Sequence, residues 1–262
     1  MKLKCPNCNQ VLEQGLKQFY CNNNHQFDRA KSGYVNLLQS QKENTKNHGD
    51  DRTMLLNRKS FLDKGFYLPL VIEMKRLIET LPHNTILDAG CGEGWYSEHI
   101  GGNILGIDIS KHACDLSSRR NKSMTYAVAS TYDLPLMDES VELAYSVFAP
   151  FSAPELERVL TEEGHFIQVY PLVDHLMGLK SAIYDSAYPN DVLDSELQGF
   201  TIVSEHEVHD IITLNDNETI QNLFTMTPYV HRTKNHELNR LQDLTELTTQ
   251  IAFGIRIYKK IS

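Results

Sequence analysis

Four residues near the start of the chain, Cys5, Cys8, Cys21 and His25, have the types and spacing of a closed metal centre. Cys-x2-Cys followed by Cys-x3-His offers three thiolates and one imidazole, a donor set that suits tetrahedral zinc. Pro6 and the Asn22-Asn23-Asn24 run suit tight knuckles around such an ion. A closed set of four ligands argues for a structural metal rather than a catalytic one. A redox Cys-x-x-Cys is the competing reading, but no thioredoxin-like pattern surrounds the pair. A second constellation follows downstream, Ile86-Leu87-Asp88-Ala89-Gly90-Cys91-Gly92-Glu93-Gly94. There an apolar run ends in an acid, and glycines then alternate. Glycine lets the backbone approach a ligand closely because no Cβ intervenes. A helix starting at the end of such a turn presents free N–H groups to polar oxygens. Asp108 closes the next apolar run, Gly106-Ile107-Asp108, where an acid bonds ribose hydroxyls in nucleotide-binding α/β folds.

The elements that must position these residues alternate strand and helix, the signature of an α/β fold with an open, mostly parallel sheet. The pattern predicts strands over 85–88, 104–108, 124–128, 141–147 and 165–169. Helices are expected from 95, over 111–120 and over 154–160, with a turn at Glu162-Glu163-Gly164 before the fifth strand. Further on come a helix over 176–184, a strand over 199–207, helical stretches within 214–225 and 236–251, and a closing strand over 252–258. Upstream, helices are expected near 53–65 and over 68–81, the second with Leu70, Val71, Met74, Leu77 and Ile78 on one face. Residues 39–52 are polar without periodicity and read as a linker. Residues 1–38 hold too few apolar positions to fold on a core alone and read as a metal-held unit. The division is thus 1–38 for the zinc-binding module, 39–66 for linker and connecting helix, and 67–262 for the main domain.

A chain of 262 residues accommodates one large domain and a small satellite. No apolar run is long enough to cross a bilayer, and the N-terminus lacks the apolar stretch of a signal peptide. Five cysteines in a chain this long do not make a disulfide scaffold and point to a reducing compartment, the cytoplasm. Cys91 and Cys114 read as small buried fillers. The net charge of -9 is unevenly spread: residues 1–70 hold 11 Lys/Arg against 6 Asp/Glu, and the remainder 14 against 28. A basic module is joined to an acidic body, an asymmetry that marks a nucleic-acid-facing part. Solvated surface charge is the plainer alternative.

The run Asp88-x-Gly-Cys-Gly-x-Gly94 resembles motif I of class I S-adenosylmethionine-dependent methyltransferases, which are Rossmann-like. Dehydrogenases share the logic of the turn, but their pattern is Gly-x-Gly-x-x-Gly. Tyr132-Asp-Leu134-Pro135 resembles the methyltransferase loop after strand three, and Leu156–Leu160 with Glu-Glu-Gly164 their helix-to-strand-five turn. On that resemblance Gly90, Gly92 and Gly94 cradle S-adenosylmethionine, Asp88 holds its amino end, and Asp108 bonds the ribose. Many relatives place an acid near the adenine amino group; here that place holds Ser130.

Zinc ligands at this spacing before such a domain resemble the RlmA family, the guanine-N1 methyltransferases of 23S ribosomal RNA. The resemblance covers nearly the whole chain. It includes Cys5-Pro-x-Cys8, Cys21-x3-His25, Asp28-x-Ala30-Lys31-x-Gly33-Tyr34-Val35-Asn36-Leu37-Leu38 and Gly49-Asp50. It continues with Arg58-x2-Phe61-Leu62-x2-Gly65-x-Tyr67-x-Pro69-Leu70, His175-Leu176-Met177-x-Leu179-Lys180 and Met226-Thr227-Pro228. The last two runs lean toward the branch typical of Gram-negative bacteria. The resemblance implies methyl transfer to N1 of one guanine in an rRNA hairpin loop, a zinc module that aids RNA recognition, and a homodimer. Family cofactor contacts map to Tyr67, to Gly94-Trp95 and to His175.

Guanine N1 carries a proton that must leave before or during transfer, and the residues name no acceptor; His175 and solvent are candidates. Where amino-methyltransferases place Asn/Asp-Pro-Pro-aromatic, this chain has Phe148-Ala149-Pro150-Phe151, which lacks a carboxamide or carboxylate. Phe148 and Phe151 are either base-stacking groups or a buried strand end. A small-molecule methyltransferase of the quinone or phenol type is the alternative function, and it leaves the zinc module unexplained. Loss of Cys21 is expected to unfold the first forty residues while sparing cofactor binding.

Overall fold

The computed structural model describes residues 2–38 and 51–261. The expected linker lies, over 39–50, outside the described residues. The N-terminal unit carries a three-stranded antiparallel sheet, β1 (Glu13–Gln14), β2 (Gln18–Tyr20) and β3 (Gln26–Asp28). The next strand, β4 (Val35–Asn36), leaves this sheet and joins the large one.

Two helices lead into the main domain: α1 (Arg52–Leu62), whose N-terminus Asp51 caps by accepting from the Met54 N–H, and α2 (Leu68–Ile78). The expected apolar face of α2 is buried in full. Then alternate β5 (Ile86–Ala89), α3 (Trp95–Ile100), β6 (Ile104–Asp108), α4 (Lys111–Arg120), β7 (Thr125–Val128), β8 (Val141–Val147), α5 (Ala153–Val159) and β9 (Leu160–Pro171). The remainder is α6 (Met177–Ile183), β10 (Phe200–Leu214), α7 (Asn217–Thr225), a 3-10 turn over Pro228–His231, α8 (Asn235–Gln242) and β11 (Leu247–Lys260).

The large sheet has the order β10-β11-β9-β8-β5-β6-β7-β4. Strands β4 to β9 run parallel, while β11 is antiparallel to both β9 and β10. From β5 the chain moves outward through β6 and β7, then returns to β8 on the other side. The ends of β5 and β8 therefore frame a topological switch point, where open α/β sheets bind ligands.

Several expected boundaries differ by one to three residues, α2 ending at Ile78 and not at 81, and three differ by more. The turn at residues 162–164 lies within the continuous strand β9, and the irregularity is taken up as a register shift against β8 between Val141 and Leu143. The closing strand and its partner are longer than expected, because β10 and β11 pair with each other over their full length. Of the span 236–251 only the start is helical; from Leu247 it belongs to β11.

The apolar core lies on both faces of the sheet. One side gathers Phe61, Leu70, Trp95, Tyr145, Ile167 and Phe253. The other unites Leu3, Leu12, Phe19 and Val35 of the N-terminal unit with Leu87, Leu105, Val141 and Phe166. Backbone bonds join the same two parts: Leu37 N–H to Val128 O at 3.0 Å, Lys4 N–H to Pro135 O at 2.8 Å, and Met137 N–H to Lys2 O at 3.0 Å. The metal-held unit thus packs as a continuation of the sheet. Packing beneath the switch point is tight at Gly106, where a Cβ would lie 2.5 Å from the Tyr126 ring and 2.9 Å from Cys91 Sγ. Gly106→Ala is expected to destabilise the fold by ~1–3 kcal/mol through overpacking, read as a lower urea midpoint with an unchanged slope.

Candidate functional site

The four N-terminal donors converge. Their ligand atoms all lie within 4.8 Å of one another. Cys8 Sγ and Cys21 Sγ are 3.6 Å apart, and His25 Nδ1 is 3.6 Å from Cys5 Sγ and 3.5 Å from Cys21 Sγ. Tetrahedral zinc with Zn–S of ~2.3 Å and Zn–N of ~2.0 Å sets its donors roughly 3.5–3.8 Å apart. The residues therefore fit the ion, with His25 bound through Nδ1. Two asparagines in the left-handed region, Asn9 and Asn24, close the knuckles with N–H bonds to Cys5 O and Cys21 O. Around the centre Lys2, Lys17 and Lys31 are exposed. Phe19 is buried and belongs to the core, Phe27 packs against it, and Tyr20 is on the surface.

A cleft of about 480 Å³ opens at the switch point, within the usual size for small-molecule sites. Its floor is the turn between β5 and α3. Gly90, Gly92 and Gly94 have φ of 90°, 53° and 82°, conformations that side chains rarely adopt. At Gly90 a Cβ would come 2.3 Å from Ala149 Cβ, so the turn and the end of β8 pack with no room between them. Of the expected cofactor residues, Tyr67, Gly90, Gly92, Asp108, Ser130 and His175 line the cleft. Asp88, Gly94 and Trp95 lie outside the lining. Asp108 braces the turn, its Oδ2 accepting from the Gly92 N–H at 3.0 Å and its Oδ1 from the Ser110 N–H at 2.8 Å. Ser130 Oγ accepts from the Tyr132 N–H at 3.1 Å on the opposite wall.

Asp88 sits beneath the turn. It is 2% exposed, and its Oδ2 accepts from Ser97 Oγ at 2.5 Å and Tyr145 OH at 2.8 Å. Burial pushes its carboxyl up to about 7, against the pull of those two donors. Trp95 is 1% exposed and packs edge-on against Tyr96 and over His99. It is the next residue, Tyr96, that reaches the cleft.

His175 is held neutral. Its Nδ1 accepts from the Ala252 N–H at 3.1 Å, so Nε2 carries the ring proton. Burial, with the nearby Lys180 cation, draws its value down to about 3. A ring nitrogen so committed is a poor proton acceptor, and His175 is set instead to donate. Beside it Phe148 has φ of 56°, is 43% exposed and lines the cleft, its ring stacked 6.4 Å from that of His175. Phe151 packs edge-on against Phe166 at 4.7 Å. The two aromatics left open by the sequence thus divide, Phe148 to the site and Phe151 to the core.

Several cleft residues had no functional reading in the sequence. Arg58, Thr227 and Pro228 stood only within family-like runs; Glu93, Tyr96, Asn190 and Tyr229 had no role. Asn190 ties the wall together, accepting from Lys180 Nζ at 2.7 Å and Tyr229 OH at 3.2 Å and donating to Leu172 O and His175 O.

Comparison with known proteins adds to this geometry. Residues 3–46 match the model of the RlmA N-terminal zinc ribbon, and residues 87–167 match a methyltransferase domain. The chain is 34% identical, over 69% of its length and 67% of the relative's, to the 23S rRNA (guanine(748)-N(1))-methyltransferase of Streptomyces fradiae. Two proteins provisionally named for 23S rRNA guanine-N1 methylation are also similar. The one from Micromonospora griseorubida is 30% identical over 68% of each chain. The one from Bacillus subtilis is 28% identical over 98% of this chain and 96% of its own. The methyltransferase domain takes S-adenosylmethionine, and the ribbon holds structural zinc.

Two outcomes are expected. The raised Asp88 carboxyl contributes stability that is whole below its ordinary value of 3.8 and lost as pH rises through about 7. Urea melts of the unliganded protein should weaken across that window, and Asp88→Asn should flatten the loss, leaving the smaller share of Glu93, whose carboxyl burial also raises. Because the Ser130–Leu136 loop is tied to Lys4 and packed on the zinc unit, Cys21→Ala or chelation should also weaken S-adenosylhomocysteine binding. By calorimetry that loss should be ~tenfold, the scale of one or two net hydrogen bonds. The expectation that cofactor binding is spared does not take account of this shared core.

Proposed function

The chain belongs to the family of 23S rRNA (guanine-N1)-methyltransferases, and from that premise we propose that it methylates N1 of one guanine in a hairpin loop of 23S rRNA. The observation that carries this reading is the rigid joining of a basic zinc ribbon to a methyltransferase cleft. A small-molecule enzyme needs only the cleft, so the quinone or phenol alternative loses ground to the ribbon. The zinc module, residues 1–38, serves RNA recognition: Lys2, Lys17 and Lys31 meet phosphates and Tyr20 offers a stacking face. The reading extends to a homodimer acting in the cytoplasm. No helix among the described residues is long and apolar enough to cross a membrane.

S-adenosylmethionine, when bound, supplies an electrophilic methyl group. The chain's part is to bind, orient and exclude water. Gly90 and Gly92 admit the ligand, Asp108 meets the ribose hydroxyls, and Ser130 with its loop borders the adenine. Tyr67 closes the inner wall, its ring 4.9 Å from that of Phe253. The target guanine stacks on Phe148, whose left-handed backbone turns the ring into the cleft instead of the core. The base has to be unpaired or flipped to reach this position. Catalysis then rests on alignment of sulfur, methyl and N1. With S-adenosylmethionine bound, methyl transfer to N1 would release the N1 proton to solvent, since the Nδ1 lone pair of His175 is engaged by the Ala252 N–H and Nε2 already carries a proton.

Ribosomal RNA from a strain lacking the gene should show one guanine without its N1 methyl, detected by primer extension and mass analysis; an unchanged rRNA defeats the assignment. In vitro, Phe148→Ala should lower kcat/KM for the rRNA hairpin by ~10- to 100-fold, the worth of one base–aromatic stack, with S-adenosylhomocysteine affinity unchanged.

A further inference from the structure

We propose that Arg58 and Glu93 form a two-charge reader for the amino-acid end of the cofactor, completed by a helix that precedes the methyltransferase domain. This rests on the cofactor alone, and not on which base is methylated. That end of S-adenosylmethionine carries a carboxylate and an ammonium about one residue's width apart. It calls for a fixed cation and a fixed anion side by side. Asp88, the acid expected to meet the ammonium, lies outside the cleft lining with its Oδ2 taken by Ser97 and Tyr145. Asp108 lines the cleft, but its two oxygens brace Gly92 and Ser110 at the end of β6, the ribose position. Arg58 and Glu93 are the other charged residues of the lining.

Their placement suits the task. Arg58, on α1, lies against the glycine turn: its Nη1 is 3.5 Å from the point a Cβ on Gly92 would occupy. A guanidinium there offers a planar fork to a carboxylate. Glu93 follows in the same turn. It is 2% exposed, and its Oε1 is buried with no hydrogen-bond partner among the described residues. A buried carboxylate oxygen left unmatched is costly unless a ligand donates to it. Burial raises the Glu93 carboxyl, and the neighbouring Arg58 cation opposes that rise. Tyr96 and Tyr67, both in the lining, wall the pair, and the Arg58 cation acts on each of them. Arg58 lies outside residues 87–167, which match the methyltransferase domain, so the reader depends on this chain's own connecting helix.

The test compares two ligands by calorimetry: S-adenosylhomocysteine, which keeps the amino-acid end, and 5′-methylthioadenosine, which lacks it. Arg58→Ala should weaken the first by ~10- to 100-fold, the scale of a charge-assisted hydrogen bond, and leave the second unchanged. Glu93→Gln should weaken the first by ~tenfold and again spare the second, and Arg58→Lys should restore part of the loss. Equal losses for both ligands, or no loss for either, would show the two residues to be an internal ion pair and overturn the proposal. Retained 5′-methylthioadenosine binding reports that a variant is folded. If Arg58→Ala does not fold, the near-isosteric Glu93→Gln and Arg58→Lys decide on the same readout.

Discussion

Everything in the catalytic half hangs on the missing Cβ of Gly90. The end of β8 approaches the turn after β5 so closely that Ala149 fills the space a side chain would need. This contact draws the two sides of the switch point together. It sets the turn on the floor of the cleft and delivers Phe148 to the lining. Asp108 then locks the turn from the neighbouring strand through the Gly92 N–H. The acid at the end of β5 takes the complementary part. Asp88 lies outside the cleft lining; with Ser97 and Tyr145 it ties β5, α3 and β8 into one buried node. A polar node at that depth is tolerated because its Oδ2 accepts two hydroxyl bonds.

The zinc unit extends the same logic outward. Its own strands are short, and its apolar residues are too few for an independent core. Metal ligation folds it, and β4 hands its remaining apolar surface to the catalytic sheet. The edge that β7 would otherwise expose is covered in part by this strand, a usual remedy for unpaired sheet edges. The cost is that the two halves are not separable by mechanics, although they are separable by pattern.

The sequence was most legible where burial and capping speak together. The strands over 104–108 and 141–147 and the helix over 111–120 match the structure at both ends. Each is an apolar run or an amphipathic stretch bounded by polar or capping residues, as Ser110 caps α4. The zinc ligands were legible because four donors at short spacing have few other uses. The length of β10 was not, since beyond the expected end at residue 207 the exposed residues His209 and Asp210 mimic loop composition. Trp95 and Tyr96 show the limit more finely: adjacent aromatics enter α3 on different faces, and which one meets the cleft depends on where the helix starts, a matter of one residue. Arg58 and Glu93 stood within recognisable runs but carried no signal of a role, because a charged residue in a helix or a turn reads as solvated until the tertiary fold buries it.

The fusion through β4 has an electrical side. The first seventy residues are basic and the rest strongly acidic. On a flexible tether those charges would average over orientations. The part pinned to the sheet edge lies within residues 1–38, which hold five Lys/Arg against two Asp/Glu; it keeps a constant direction relative to the acidic body, and the molecule carries a built-in dipole moment. A polyanion diffusing toward it feels a torque before it feels a contact, and is turned to meet the ribbon first. On a chain of net charge -9, that fixed separation of charge gives the approach of a polyanion a preferred direction.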